Sequence, residues 1–137
     1  RLRGDLDLMP ELAEAGLVRA GKDISQGGIA GTALMLAECS GVGIEIDTHA
    51  IPRPEGTGLA RWMVTFPSFG FLLAAKPADA SAICARFAAR DISAATIGRI
   101  TDGTALTLCD VNARATLWDH AAQPYLRLAP ERGTAHA

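Results

Sequence analysis

Lys22-Asp23-Ile24-Ser25-Gln26-Gly27-Gly28-Ile29-Ala30-Gly31 is the stretch on which the fold turns. It reads as the end of an extended segment, a tight turn and the start of a helix built from small residues. Three glycines fall within five residues, Gly27 to Gly31. They let the backbone bend sharply and come close to a ligand or a neighbouring element. Ser25 is the expected N-cap. A helix start offers unpaired N–H groups and a positive partial charge, which together suit an anion. The competing reading is a glycine turn that only packs a helix tightly on a sheet. Asp23 reads either as a metal-linked or substrate-binding carboxylate or as a local acceptor for turn amides. Lys22 reads as a solvated cation or a phosphate contact. Gln26 both donates and accepts, which suits a polar ligand or plain exposure.

Working outward, residues 8–20 show an apolar stripe of Leu12, Ala13, Leu17 and Ala20 and are expected to be helical, with Gly21 as the stop. Upstream, Arg1 to Asp5 reads as a linker. Downstream, residues 28–39 form a helix apolar nearly all round, which requires burial on more than one side and ends at Gly41. Val42 to Thr48 alternates as a half-buried strand. Its Glu45 and Asp47 read as the solvent side. A loop with Pro52 and Pro54 carries the lone His49, a weak candidate for catalysis or metal binding. Residues 57–64 suggest a short helix with Trp62 as a core anchor. The continuous apolar run Phe71 to Ala75 predicts a strand covered on both faces. Residues 77–90 predict a helix with Ile83 and Phe87 one turn apart. Strands are expected at 94–101 and 105–109, joined as a hairpin by Asp102-Gly103. Residues 111–128 are ambiguous, with some helix around Leu117 and Trp118. Residues 129–137 read as a disordered tail.

Composition narrows the class. A chain of 137 residues, 49% apolar and 20% charged, is one globular domain. A net charge of −2 gives no basic footprint for nucleic acid. No apolar run is long enough to span a bilayer. Cys39, Cys84 and Cys109 are widely spaced with no CxxC pair, which opposes a zinc site or disulfide framework and suits a reducing cytoplasm. All three are expected as small core residues. No GxSxG, HExxH or Walker motif is present. The element order implies a layered α/β or α+β domain around a mixed sheet.

Several segments together resemble one family. Gly21 to Gly31, then Leu36-Ala37-Glu38-Cys39-Ser40-Gly41-Val42-Gly43-Ile44, look like the C-terminal domain of the aminoimidazole ribonucleotide synthetase superfamily. Ile51-Pro52-Arg53-Pro54, Phe69-Gly70-Phe71-Leu72-Leu73 and Ile97-Gly98-Arg99-Ile100-Thr101 are similar to later family motifs. Members include formylglycinamidine ribonucleotide synthetase, selenophosphate synthetase, thiamine-monophosphate kinase and a hydrogenase maturation protein. The segment around Trp62 and Phe66 to Phe71 looks most like the AIR synthase-related branch.

The resemblance implies an α/β (α+β) domain, three-layer α/β/α with a mixed four-stranded sheet and partly ferredoxin-like, over residues 1–128. It implies an N-terminal ATP-binding domain outside this sequence, homodimer formation, a cytoplasmic location and a small-molecule substrate, with no nucleic-acid or membrane partner. ATP and Mg²⁺ are the expected cofactors, bound mostly by that N-terminal domain. The implied activity is that of a transferase or ligase which phosphorylates and so activates its substrate, inactive as this domain alone. Asp23, Ser25, Gln26, Gly27 and Gly28 would line the substrate and phosphate side of the cleft. No metal ligand is assigned, since Gln26 stands where several relatives have a second acid. The alternative is a non-catalytic relative that binds a phosphorylated metabolite or scaffolds a complex. A stand-alone ferredoxin-like regulatory domain is a third reading. Removing a partner domain should also expose apolar surface and promote self-association.

Overall fold

The computed structural model describes residues 1–67 and 69–127, so the tail expected at 129–137 lies outside the described residues. Elements follow in the order α1 (Leu2–Leu6), α2 (Leu8–Glu14), β1 (Ala20–Asp23), α3 (Gly28–Ser40), β2 (Gly43–Asp47) and α4 (Leu59–Met63). Then come β3 (Phe71–Ala74), a 3₁₀ turn (Pro77–Asp79), α5 (Ala80–Ala88), β4 (Gly98–Thr101), β5 (Ala105–Cys109) and β6 (Arg114–Asp119). A mixed four-stranded sheet has the order β4-β2-β5-β6, and β1 and β3 form a separate antiparallel pair.

Helix α3 carries the main core. Its consecutive residues Gly28 to Leu34 are all buried, as an all-round apolar helix requires. Ile29, Ala33 and Leu34 pack on Ile46 and Leu106 of the sheet and on Ile51 and Met63 beside it. Trp62 is half-buried against this cluster and donates its indole N–H to the Pro52 carbonyl at 2.9 Å. A second cluster joins Leu8 and Leu12 of α2 to Ile83 and Phe87 of α5, with Leu73 at its edge.

The sheet differs from the expected one in three ways. First, Asp102-Gly103 does not close a hairpin, because β4 and β5 lie on opposite sides of β2. The connection instead passes over the start of β2 at Gly43, where a side chain would collide with the Thr101 hydroxyl and come within 3.0 Å of the Ala105 carbonyl. Glycine there permits the crossing. Second, residues 114–119 are a strand, not a helix. A bulge opposite Leu106 and Thr107 leaves Leu117 unpaired, which breaks the alternation that would have marked it. Third, Phe71–Ala74 is not in this sheet, and all four residues stay half-exposed instead of being covered on both faces.

Smaller expectations also shift. Helix α2 ends at Glu14, well before Gly21, because the amides of Gly16 and Leu17 fold back on the Ala13 and Leu12 carbonyls. Gly21 then belongs to β1. Leu2–Leu6 is helical instead of part of a linker, because Asp5 is buried against Arg90, whose Nε donates to it at 2.7 Å. None of the cysteines is a buried core residue: Cys39 is exposed and the other two half-exposed. Cys39 and Cys109 lie at the ends of α3 and β5, and Cys84 is on a half-exposed side of α5.

Replacing Leu106, fully buried in β5, by alanine should lower the unfolding free energy by about 2–5 kcal/mol. Leu117→Ala, at the exposed bulge, should change it by less than about 0.5 kcal/mol. Urea denaturation of both variants checks the contrast, which a helix burying Leu117 would reverse.

Candidate functional site

The five expected site residues form one continuous turn between β1 and α3. Asp23 ends β1, exposed; among the described residues its carboxylate is paired with the Lys22 ammonium at 3.3 Å. The Gly28 N–H donates to the Ser25 carbonyl at 3.0 Å. Gly27 has φ +86 and ψ −3, the values of the third residue in a type II turn. Gln26 therefore stands exposed at the apex. Ser25 is not the N-cap. Gly27 occupies that position without any side-chain cap, and Ser25 instead donates its N–H to the buried Thr32 hydroxyl at 3.3 Å. Among the described residues, nothing accepts the N–H of Ile29 or of Ala30. An uncapped glycine turn thus leaves two donors at the positive end of a 13-residue helix.

Two neighbours fix this turn, and the sequence did not announce either. Gly28 has φ +62, and a Cβ on it would stand 2.5–2.7 Å from the backbone of Met63, Val64 and Thr65. The end of α4 is therefore pressed onto the start of α3. On the other side lies Tyr125. Its hydroxyl would be 3.1 Å from a Cβ on Gly31 and 3.3 Å from one on Gly27. The strap that brings it there, residues 120–127, is held by Glu38, whose Oε2 accepts the Tyr125 N–H at 2.7 Å and the Leu126 N–H at 3.0 Å. Those two amides, Leu126 first, hold the Glu38 carboxyl below the usual glutamate range. Among the described residues its buried Oε1 has no hydrogen-bond partner. Trp118 meets the Tyr125 ring edge to face at 5.8 Å and donates its indole N–H to the Gln123 carbonyl. Only the glutamate before Ser40-Gly41 hinted at this clamp.

Other polar candidates lie elsewhere. His49 follows β2 and Asp110 follows β5; these strands are parallel, so both ends meet. His49 Nε2 lies 2.5 Å from the Asp110 carboxylate, and its backbone N–H donates to Asp47. The Val111 N–H, then His49, holds the Asp110 carboxyl below its ordinary range. The contact ties the loop after β2 to the loop after β5. On the open face of the sheet Glu45 pairs with both Arg99 and Arg114, which lower its carboxyl and raise both guanidiniums. Glu45 is therefore a cross-strand tie and not merely a solvated residue. Among the described residues, no group of three or more His, Cys, Asp or Glu side chains could hold a metal ion. Nor is any helix long and apolar enough to cross a membrane.

A glycine turn feeding a buried helix, then β2 between two later strands, is a shared architecture. The family model for the C-terminal domain of AIR synthase related proteins matches residues 2–110. The chain belongs to that family. It is 43% identical over 118 residues to the Synechocystis protein sll0787, covering 86% of this chain and 37% of that protein. It is 30% identical over 135 residues to the phosphoribosylformylglycinamidine synthase subunit PurL of Thermomicrobium roseum, covering 93% of this chain and 18% of that subunit. The chain thus spans 37% or less of these curated relatives. Among solved structures, T. maritima PurL complexed with ADP superimposes with a TM-score of 0.73 at 15% identity, over 80% of this chain and 19% of that one. E. coli HypE, a hydrogenase maturation protein, gives 0.72 at 22% identity, over 88% and 40%. These likenesses bear out the mixed α/β fold of the AIR synthase-related C-terminal domain.

Two outcomes are expected of the turn and its clamp. Gly28→Ala strains the left-handed position by about 1–3 kcal/mol and also collides with Met63 to Thr65, so its thermal midpoint should fall well below that of Leu117→Ala. The Glu38 carboxyl is lowered on folding, so its contribution is present above its unfolded pKa of about 4.3 and is lost as pH falls through the folded value. Glu38→Gln should therefore melt lower than the parent at pH about 7, with the gap closing in acid. A constant gap across that range in calorimetric scans would contradict the clamp.

Proposed function

We propose that this AIR synthase-related domain supplies the substrate and phosphate side of the cleft in an ATP-dependent enzyme that phosphorylates, and so activates, a small molecule. The observation that carries the reading is the uncapped turn at Gly27-Gly28, where the amides of Ile29 and Ala30 have no acceptor among the described residues and Asp23 is exposed at the end of β1. Those amides suit phosphate oxygens, and Gln26 at the apex adds a neutral donor and acceptor. PurL has been solved with ATP, ADP and AMPPCP, which supports nucleotide use in the family. The residues fit a phosphate better than they fit Mg²⁺, because no acidic cluster accompanies the turn. In this reading ATP and Mg²⁺ are held chiefly by an N-terminal domain, which also forms a homodimer in the cytoplasm. Bound ATP supplies the phosphoryl group. Asp23, Ser25, Gln26, Gly27 and Gly28 position the acceptor, and the unpaired amides of Ile29 and Ala30 offset charge on the moving phosphate; positioning and charge stabilisation are most of what protein groups do in phosphoryl transfer.

The neutral Gln26 favours a second reading, a non-catalytic relative that binds a phosphorylated metabolite through the same turn. The full-length protein separates the two. Among the described residues the exposed Asp23 carboxylate is paired with Lys22 alone, so Asp23→Ala should leave the melting temperature unchanged while lowering ATP-dependent phosphorylation about tenfold or more. Unchanged binding and turnover would remove Asp23 from the site. Phosphate binding without any ATP hydrolysis by the intact protein would establish the second reading.

A further inference from the structure

A cleft of about 1230 Å³ runs between the core built on α3 and the β1–β3 pair. The expected cover of Phe71–Ala74 is missing on this side, and Ile100 of β4 is 50% exposed along it. Residues 69–77 and 92–100 line it without a gap in sequence. A strand face presents only every second residue, so unbroken runs mean that the cleft follows strand edges. Strand β3 pairs only with β1, and β4 only with β2, which leaves one edge of each to the cleft. Apart from Arg53 and Thr65, the remaining lining is apolar, with Trp62 at its wall.

The charge around this cleft is one-sided. Arg53, Lys76 and Arg99 line it, and no Asp or Glu does, in a chain whose net charge is −2. Arg99 is already held by Glu45. Arg53 and Lys76 are exposed and join no ion pair among the described residues. We propose that the cleft is a binding site for an amphipathic anion, an acyl or aromatic body carrying one carboxylate or phosphate. The apolar body lies along β3 and β4 and covers Phe71 to Ala74. The head group meets Arg53 and Lys76. The volume exceeds the roughly 300–1000 Å³ of common small-molecule pockets, so a body of that size enters without opening the core. This site does not depend on the glycine turn or on ATP.

The test titrates the 137-residue chain with anilinonaphthalene sulfonate and then competes the probe with decanoate, decyl phosphate and decyltrimethylammonium. Saturable binding at one site is expected, displaced by decanoate or decyl phosphate and not by the cation. The stronger competitor identifies the head group. The double variant Arg53→Ala/Lys76→Ala should weaken binding about tenfold or more with an unchanged melting curve. In a nitrogen-15 spectrum the Trp62 indole resonance should move and that of Trp118, outside the cleft, should not. Equal displacement by the cation, full binding by the double variant, or a shift confined to Trp118 would each overturn the proposal. So would the absence of saturable binding.

Discussion

Two backbones meet at residue 28, and that contact governs the rest. The start of α3 can press onto Met63, Val64 and Thr65 only because Gly28 has no side chain and accepts a left-handed φ. The contact places α4 against α3 and sets Trp62 against the core. It also forces the preceding residues into a tight turn, which leaves the helix uncapped. A better-capped helix would be more stable and would leave no unpaired amides at its start. The same steric fact therefore builds the core and leaves those donors without a partner.

How much of this was legible follows from range. The turn, α3 and β2 are governed by local chemistry: a glycine cluster, an apolar helix and an alternating strand. Their expected bounds match the observed ones to within a residue or so. The family resemblance rested on the same segments and holds. What failed was non-local. Asp102-Gly103 has every local mark of a hairpin turn, yet β2 occupies the place between its arms. Leu117 sits on a bulge, which hides the strand period. Asp5 reads as a linker charge until Arg90, far along the chain, is brought to it. Ser25 looked like a cap because its type suits one, but the buried Thr32 hydroxyl claims its N–H. Tyr125 was invisible as a neighbour of the glycine turn, since nothing in its own surroundings points to Glu38.

The two sides of the four-stranded sheet do different work. Ile44, Ile46, Leu106 and Leu108 face α3 and its neighbours. The other side carries the Arg99–Glu45–Arg114 tie across β4, β2 and β6. Glu45 is mostly covered, with its side chain 18% exposed, whereas both arginines reach into solvent. Pairs so exposed add little stability individually. Their value is in register: one residue of slip would move Glu45 to the apolar side and Ile44 or Ile46 to the charged one.

The crossing at Gly43 has a consequence in time as well as in space. Strand β2 takes both of its partners from residues 98–109, far downstream. Until that stretch has been synthesised, neither edge of β2 can be paired and the apolar face of α3 has no sheet to rest on. Such long-range closure is slow compared with local helix formation. Before then the segments up to β2 have the helix α3 but no four-stranded sheet to cover it. The sheet is completed from the middle outward when β4 and β5 arrive to enclose β2.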